Sequence, residues 1–145
     1  MYFINIEENS VKNNDGFRLF SETIYRFHPT VQSVQLWVKS EKDENGELTR
    51  YNLFCITHKK GTVQKVTWTN YDPKYYRARI CVSYDGQILF IPDYKKGIFA
   101  INIAENIVIN RYSLKHIFSI WATDTSLLCL HRESKRSLAR INLKK

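Results

Sequence analysis

Short apolar stretches separated by polar turn residues predict an all-β chain. The clearest run lies between Arg79 and Tyr112, where four apolar stretches alternate with breaks. Asp85-Gly86 and Lys96-Gly97 occupy two of these breaks, and glycine readily adopts the positive φ that a tight reversal needs. We therefore expect four consecutive antiparallel strands, at 79–83, 87–91, 98–103 and 107–112.

Similar stretches on both sides extend this pattern. A charged insertion at 40–47 predicts a long hairpin loop, and 21–28 favours either a short helix before Pro29 or an extended segment. The remaining strands are expected at 1–9, 17–20, 34–38, 51–56, 62–68, 118–122, 126–131 and 137–143.

The strands recur at a period of 36 to 40 residues. Phe54–Gly61 aligns with Phe90–Gly97, and both segments end in Lys-Lys-Gly. This periodicity predicts a single all-β domain over residues 1–145, in which an N-terminal strand is available to pair into the last sheet. The predicted units are 31–72, 79–112 and 117–143, with 1–30 as a closing strand or hairpin.

Four strands in a repeat of this length resemble the blades of a β-propeller, whose repeats run roughly 40–50 residues. The resemblance covers about 31–143 and rests on spacing and turn placement, without a Trp-Asp or Gly-His signature. It implies about three blade-like, four-stranded meanders in an incomplete or atypical ring. The alternative is an irregular β-sandwich or barrel. The apolar runs Ile88–Ile91 and Leu127–Leu130 predict strands covered on both faces.

The composition indicates a compact fold without disulfides. Hydrophobic residues make up 43% of the 145 residues, and no apolar run reaches the roughly 18 residues of a membrane helix. The N-terminus lacks the order of a signal peptide, so we expect a cytoplasmic location and no membrane partner. Cys55, Cys81 and Cys129 are predicted to be buried thiols. Core or inter-sheet packing is predicted for the tryptophans, Trp37, Trp68 and Trp121.

The net charge of +8 favours an acidic partner. In a blade-like meander, the turns between the second and third strands lie at the same end as the connections between units. This end should be basic and rich in tyrosine, which is typical of a binding face. The predicted partner-binding residues are Lys59, Lys60, Tyr75, Tyr76, Arg77, Tyr94, Lys95, Lys96, Lys115, His116, Lys135 and Arg136.

The opposite end should be acidic, with Asp85, Glu105 and Asp124 in its turns. It provides an alternative partner-binding face if the partner is cationic. The residues of that alternative are Glu41, Asp43, Glu44 and Glu47.

No motif of an enzyme, metal site or cofactor site is evident. The histidines lack carboxylates at metal-ligand spacing, and there is neither a Gly-x-Ser-x-Gly elbow nor a phosphate-binding glycine loop. His58 and His131 follow the second strands of their units, which leaves acid–base cleavage of RNA as a minor alternative. We predict a non-enzymatic protein with no catalytic residue, metal or cofactor.

A small, cysteine-poor all-β chain of this kind resembles, in general character, the bacterial immunity proteins, including those of contact-dependent inhibition systems. The resemblance implies an antitoxin function, in which the chain binds a cognate toxin and blocks it. The alternative is a nucleic-acid-binding protein, in which lysines neutralise phosphates and Tyr75 or Tyr76 stacks on bases. The sequence leaves the oligomeric state open.

Overall fold

The structure is a computed structural model that describes residues 7–9, 17–22, 28–42, 44–45, 48–69, 80–132 and 135–143. Its regular secondary structure is β-strand throughout these residues, so the predicted all-β class is confirmed. The chain divides into two compact units, 1–72 and 73–145. The expectation of one domain stays a prediction.

The first unit contains one five-stranded antiparallel sheet, in which every strand pairs with its neighbours along the chain. Hairpin connections alone therefore generate its strand order. The strands are β1 (Glu7–Asn9), β2 (Phe17–Glu22), β3 (Val31–Lys42), β4 (Leu48–His58) and β5 (Val63–Thr69).

The N-terminal hairpin joins this first sheet. Glu7–Asn9 pairs with β2, and β2 pairs with β3 along its whole length. The expectation that an N-terminal strand pairs into the last sheet stays a prediction, because that sheet belongs to the other unit. The helix alternative fails at Ser21 and Glu22, which belong to β2, and 23–27 lie outside the described residues.

The charged insertion forms a shorter loop than predicted. β3 and β4 continue into it, and their last pair joins Lys42 to Leu48. Charged side chains fit a solvated strand as well as a loop, so composition alone did not reveal this pairing.

The second unit contains two antiparallel sheets, both simple meanders. The four-stranded sheet follows the order β6-β7-β8-β9 and the three-stranded sheet the order β10-β11-β12. No sheet of the described residues closes on itself, which fits both an incomplete ring and a sandwich. The strands are β6 (Cys81–Val82), β7 (Ile88–Asp93), β8 (Gly97–Asn102), β9 (Ile107–Tyr112), β10 (Ile117–Ala122), β11 (Ser126–Arg132) and β12 (Arg136–Asn142).

These two sheets share one hydrophobic core. Phe90, Ile98 and Ala100 contribute from the four-stranded sheet, whereas Leu127 and Cys129 contribute from β11. All five side chains are at most 1% exposed. Burial of a large apolar side chain contributes roughly 1.5–3 kcal/mol, so this cluster holds the sheets together.

The two sheets differ in the burial of the face that points away from the shared core. Leu89 and Ile91 alternate with Phe90 along β7 and are fully buried, which confirms the prediction of a strand covered on both sides. On β11, Leu128 and Leu130 are only partly buried. The same prediction is therefore wrong for 127–130, because the second apolar face of that strand has no complete cover.

Candidate macromolecular interface

Three of the predicted basic segments meet at one end of the second unit. The amide of His116 donates to the carbonyl oxygen of Tyr94 at 2.9 Å, and the amide of Arg132 donates to the carbonyl oxygen of His116 at 3.0 Å. These bonds join the β7–β8 turn, the connection between the sheets and the end of β11. We call this surface the basic end; its residues are Tyr94, Lys95, Lys96, Lys115, His116, Lys135 and Arg136.

The β7–β8 turn is shaped by a buried carboxylate. Asp93 is 7% exposed, and its Oδ1 accepts hydrogen bonds from the amides of Lys95 and Lys96 at 2.9 and 3.0 Å. Gly97 closes the turn with φ at 111°. The backbone therefore fixes the turn while both lysine side chains remain exposed.

Tyr94 packs against aromatic neighbours. Its ring centroid lies 4.9 Å from that of His116 and 6.3 Å from that of Phe118, in tilted and edge-on geometries. His116 adopts a φ of 58°, which is uncommon for a residue with a side chain. The half-buried Tyr94 ring thus forms part of a preformed surface rather than a free loop.

Lys59 and Lys60 occupy the equivalent turn of the first unit. Both are exposed between β4 and β5, and the amide of Lys59 donates to the carbonyl oxygen of Thr30 at 3.0 Å. These lysines belong to the first unit and the basic end to the second, so a shared surface stays a prediction. The remaining predicted contacts, Tyr75, Tyr76 and Arg77, lie outside the described residues.

The acidic turns of the second unit lie at the other end of its sheets. Asp85, Glu105 and Asp124 are exposed in the β6–β7, β8–β9 and β10–β11 turns. The alternative acidic face belongs to the first unit, where Glu44 is exposed in the β3–β4 turn and Glu41 lies in β3. Asp43 and Glu47 are outside the described residues.

The whole net charge falls on the second unit. Residues 73–145 contain 13 Lys and Arg against five Asp and Glu, a formal charge of +8. Residues 1–72 contain nine of each and are formally neutral. This excess of positive charge on one half of the chain attracts anionic surfaces.

The cysteines lack the properties of reactive thiols. All three are buried, as predicted. Burial raises the pKa of Cys129 to about 11, and burial, partly offset by Lys65, raises the pKa of Cys55. Both thiols therefore stay protonated near neutral pH, whereas the nucleophile is the thiolate.

His58 and His131 have different surroundings. His58 Nε2 lies 3.1 Å from Gln64 Oε1, and His131 Nδ1 is buried without a hydrogen-bond partner. The two residues belong to different units, so their predicted relation stays a prediction. Among the residues that the structure describes, no group of His, Cys, Asp and Glu has the arrangement of a metal site.

A second surface, on the outer face of the three-stranded sheet, was not predicted from the sequence. Trp121 is 42% and Leu138 66% exposed, so the prediction of core packing is wrong for Trp121. Trp68 is half-buried, and the side chain of Trp37 is outside the described residues. We call this surface the outer face; its residues are Trp121, Leu128, Leu130, Arg132, Arg136, Leu138 and Arg140.

No protein-family model matches the chain, and a search of curated proteins finds no significant match. None of the described residues forms a helix long and apolar enough to cross a membrane.

Proposed function

We propose that the protein is a non-enzymatic binding module whose basic end contacts one macromolecular partner. The observation that carries this proposal is the joining of three basic segments through the backbone of His116. Because the turns are already ordered, binding a partner loses little conformational entropy in these loops. The exposed lysines around the packed tyrosine are complementary in charge to a partner with an acidic face.

Within this function, we propose an immunity protein that acts in the bacterial cytoplasm by covering a cognate toxin. The general character of the chain supports a stoichiometric inhibitor. A partner with carboxylates around its functional site would match the basic end in charge.

Nucleic acid is the second candidate partner, favoured by the +8 charge of residues 73–145. The lysines of the basic end would neutralise phosphates, and binding would weaken steeply as salt rises. A packed protein interface depends less on salt, since burial of apolar area contributes much of its free energy.

A pull-down from the native host at moderate salt tests these alternatives. The bait is the full chain, compared with Lys95→Glu/Lys96→Glu and with Lys59→Glu/Lys60→Glu. We expect the wild-type chain to retain one stoichiometric protein, and the Lys95/Lys96 variant to lose it. A toxin would stop growth when expressed alone, and co-expression of this chain would restore growth.

The outcome that contradicts the inhibitor proposal is nucleic acid in the eluate that washes away as salt rises. Retention of the protein partner by the Lys95/Lys96 variant would instead show that the interface lies outside the basic end. The Lys59/Lys60 variant carries the same charge change in the first unit, so it shows whether both units contribute.

A further inference from the structure

The outer face combines an apolar centre with a cationic border. In the strand register, Trp121 pairs with Leu128, and Leu128 pairs with Arg140. In the next row toward the basic end, Leu130 pairs with Leu138. Arg132 pairs with Arg136 in the last row. Alternation along the strands places these side chains opposite the core face.

The outer face of the three-stranded sheet is not covered as its inner face is. Inward residues of β12, such as Ala139 and Ile141, pack on the shared core, whereas Leu138 is 66% exposed. Leu128 and Leu130, in the central strand, are only partly buried. The face thus joins two exposed and two partly buried apolar side chains, and contiguous exposed apolar patches mark interaction sites.

The charge of the face identifies the occupant it fits. Arg132, Arg136 and Arg140 are all exposed, and strands β10, β11 and β12 contain no Asp or Glu. A second copy placed face to face would set these arginines against one another, which costs free energy. Nucleic acid would require stacking platforms, but three of the four apolar residues are leucines.

We propose that the outer face is a docking surface for an acidic polypeptide that carries apolar side chains. Its apolar side chains cover Trp121, Leu128, Leu130 and Leu138, and its carboxylates pair with Arg132 and Arg140. Arginine forms bidentate pairs with carboxylates, and tryptophan and arginine are enriched at the energetic centres of interfaces. This inference goes beyond the proposed function: the outer face shares Arg136 with the basic end, but the proposed contacts do not depend on the lysines of the basic end.

The test is selection of a random peptide library on the immobilised full chain, with depletion on the Leu138→Ser variant. Leu138 is largely exposed, so this variant should keep its fold, which circular dichroism checks. We expect the enriched peptides to combine Asp or Glu with aromatic or aliphatic residues. Absence of enrichment, or enrichment of basic peptides, would overturn the proposal.

An enriched peptide is then measured by fluorescence anisotropy against matched variants. We expect Leu138→Ser and Arg132→Glu/Arg140→Glu each to weaken binding by about tenfold or more. Val108→Ser, which removes an apolar side chain of 50% exposure from β9, should leave binding unchanged. Equal weakening by Val108→Ser would show that the peptide binds elsewhere.

Two further measurements exclude the other occupants. Sedimentation of the full chain alone should show no association that Leu138→Ser abolishes, because such association would make a second copy the occupant. A single-stranded DNA oligomer should bind the wild type and Leu138→Ser equally. Loss of DNA binding in Leu138→Ser would assign the face to nucleic acid.

Discussion

Gly61 and Gly97 end the same Lys-Lys-Gly sequence but have different surroundings. Both adopt positive φ, at 85° and 111°. A Cβ on Gly61 would meet no atom within 4 Å, whereas a Cβ on Gly97 would collide with the backbone carbonyl oxygen of Tyr112 on β9. Equivalent positions in the repeat therefore tolerate side chains to different degrees.

We predict that Gly97→Ala destabilises the protein much more than Gly61→Ala. Gly61→Ala should cost about 1–2 kcal/mol, which is the penalty of a left-handed conformation. Gly97→Ala adds a clash with backbone, so its cost should exceed about 3 kcal/mol. Urea unfolding of both variants measures the difference, and equal costs would show that β9 moves away from the turn freely.

At the scale of elements, the strands of the second unit were largely predictable from sequence. The glycines and polar turns around β7, β8 and β9 are local signals, and the strand predicted at 107–112 matches β9. The pairing of Lys42 with Leu48 was not predicted, because Asp, Asn, Gly, Glu and Lys, which make up most of the insertion, are depleted in strands and indicate a loop.

The exposure of one face of β11 was also not predicted from the sequence. Leu127–Leu130 has no alternation, so the sequence does not distinguish a covered face from an open one. The signal was present in β12, where Arg136, Leu138 and Arg140 alternate with smaller or aliphatic residues. That alternation places Leu138 on the same face as two arginines.

Edge strand β9 is expected to promote aggregation. Ile107, Val108 and Ile109 are 50%, 50% and 48% exposed, and β9 is an outermost strand of its sheet. The register shift opposite Ala100 and Ile101 leaves Ile109 out of the pairing. Apolar edge strands are templates for pairing with other chains.

We predict that Val108→Lys slows thermal aggregation while changing the free energy of unfolding by less than about 0.5 kcal/mol. A charged side chain on the edge opposes strand addition. Val63→Lys provides the control, because Val63 is 54% exposed on edge strand β5 but is followed by Gln64 and Lys65. Light scattering during heating measures the aggregation of both variants. An equal effect of the two substitutions would show that β9 is not the cause of aggregation.

In the whole molecule, the two units differ in charge, and both contain buried apolar side chains. Val31, Val34, Phe54 and Ile56 are buried in the first unit, whereas Phe90 and Ile98 are buried in the second. Buried side chains in both units are compatible with one cooperative domain or with two independent ones. Folding cooperativity separates these cases.

We predict a single unfolding transition, as expected of one domain. Phe54→Ala and Phe90→Ala each remove a side chain that is 1% exposed, so each should cost about 3–5 kcal/mol. Both should shift the same transition in urea, followed by tryptophan fluorescence and far-ultraviolet circular dichroism. Two transitions, each moved by only one variant, would show that the units unfold separately.

The backbone of His116 has a kinetic consequence for any molecule that approaches the basic end. Its amide and its carbonyl group bond in two directions, to Tyr94 and to Arg132, so neither segment can shift without breaking a hydrogen bond. Association at such a surface is governed by diffusion, orientation and charge, with no slow loop rearrangement before docking. Differences in affinity between variants of this surface should then appear mainly in the dissociation rate.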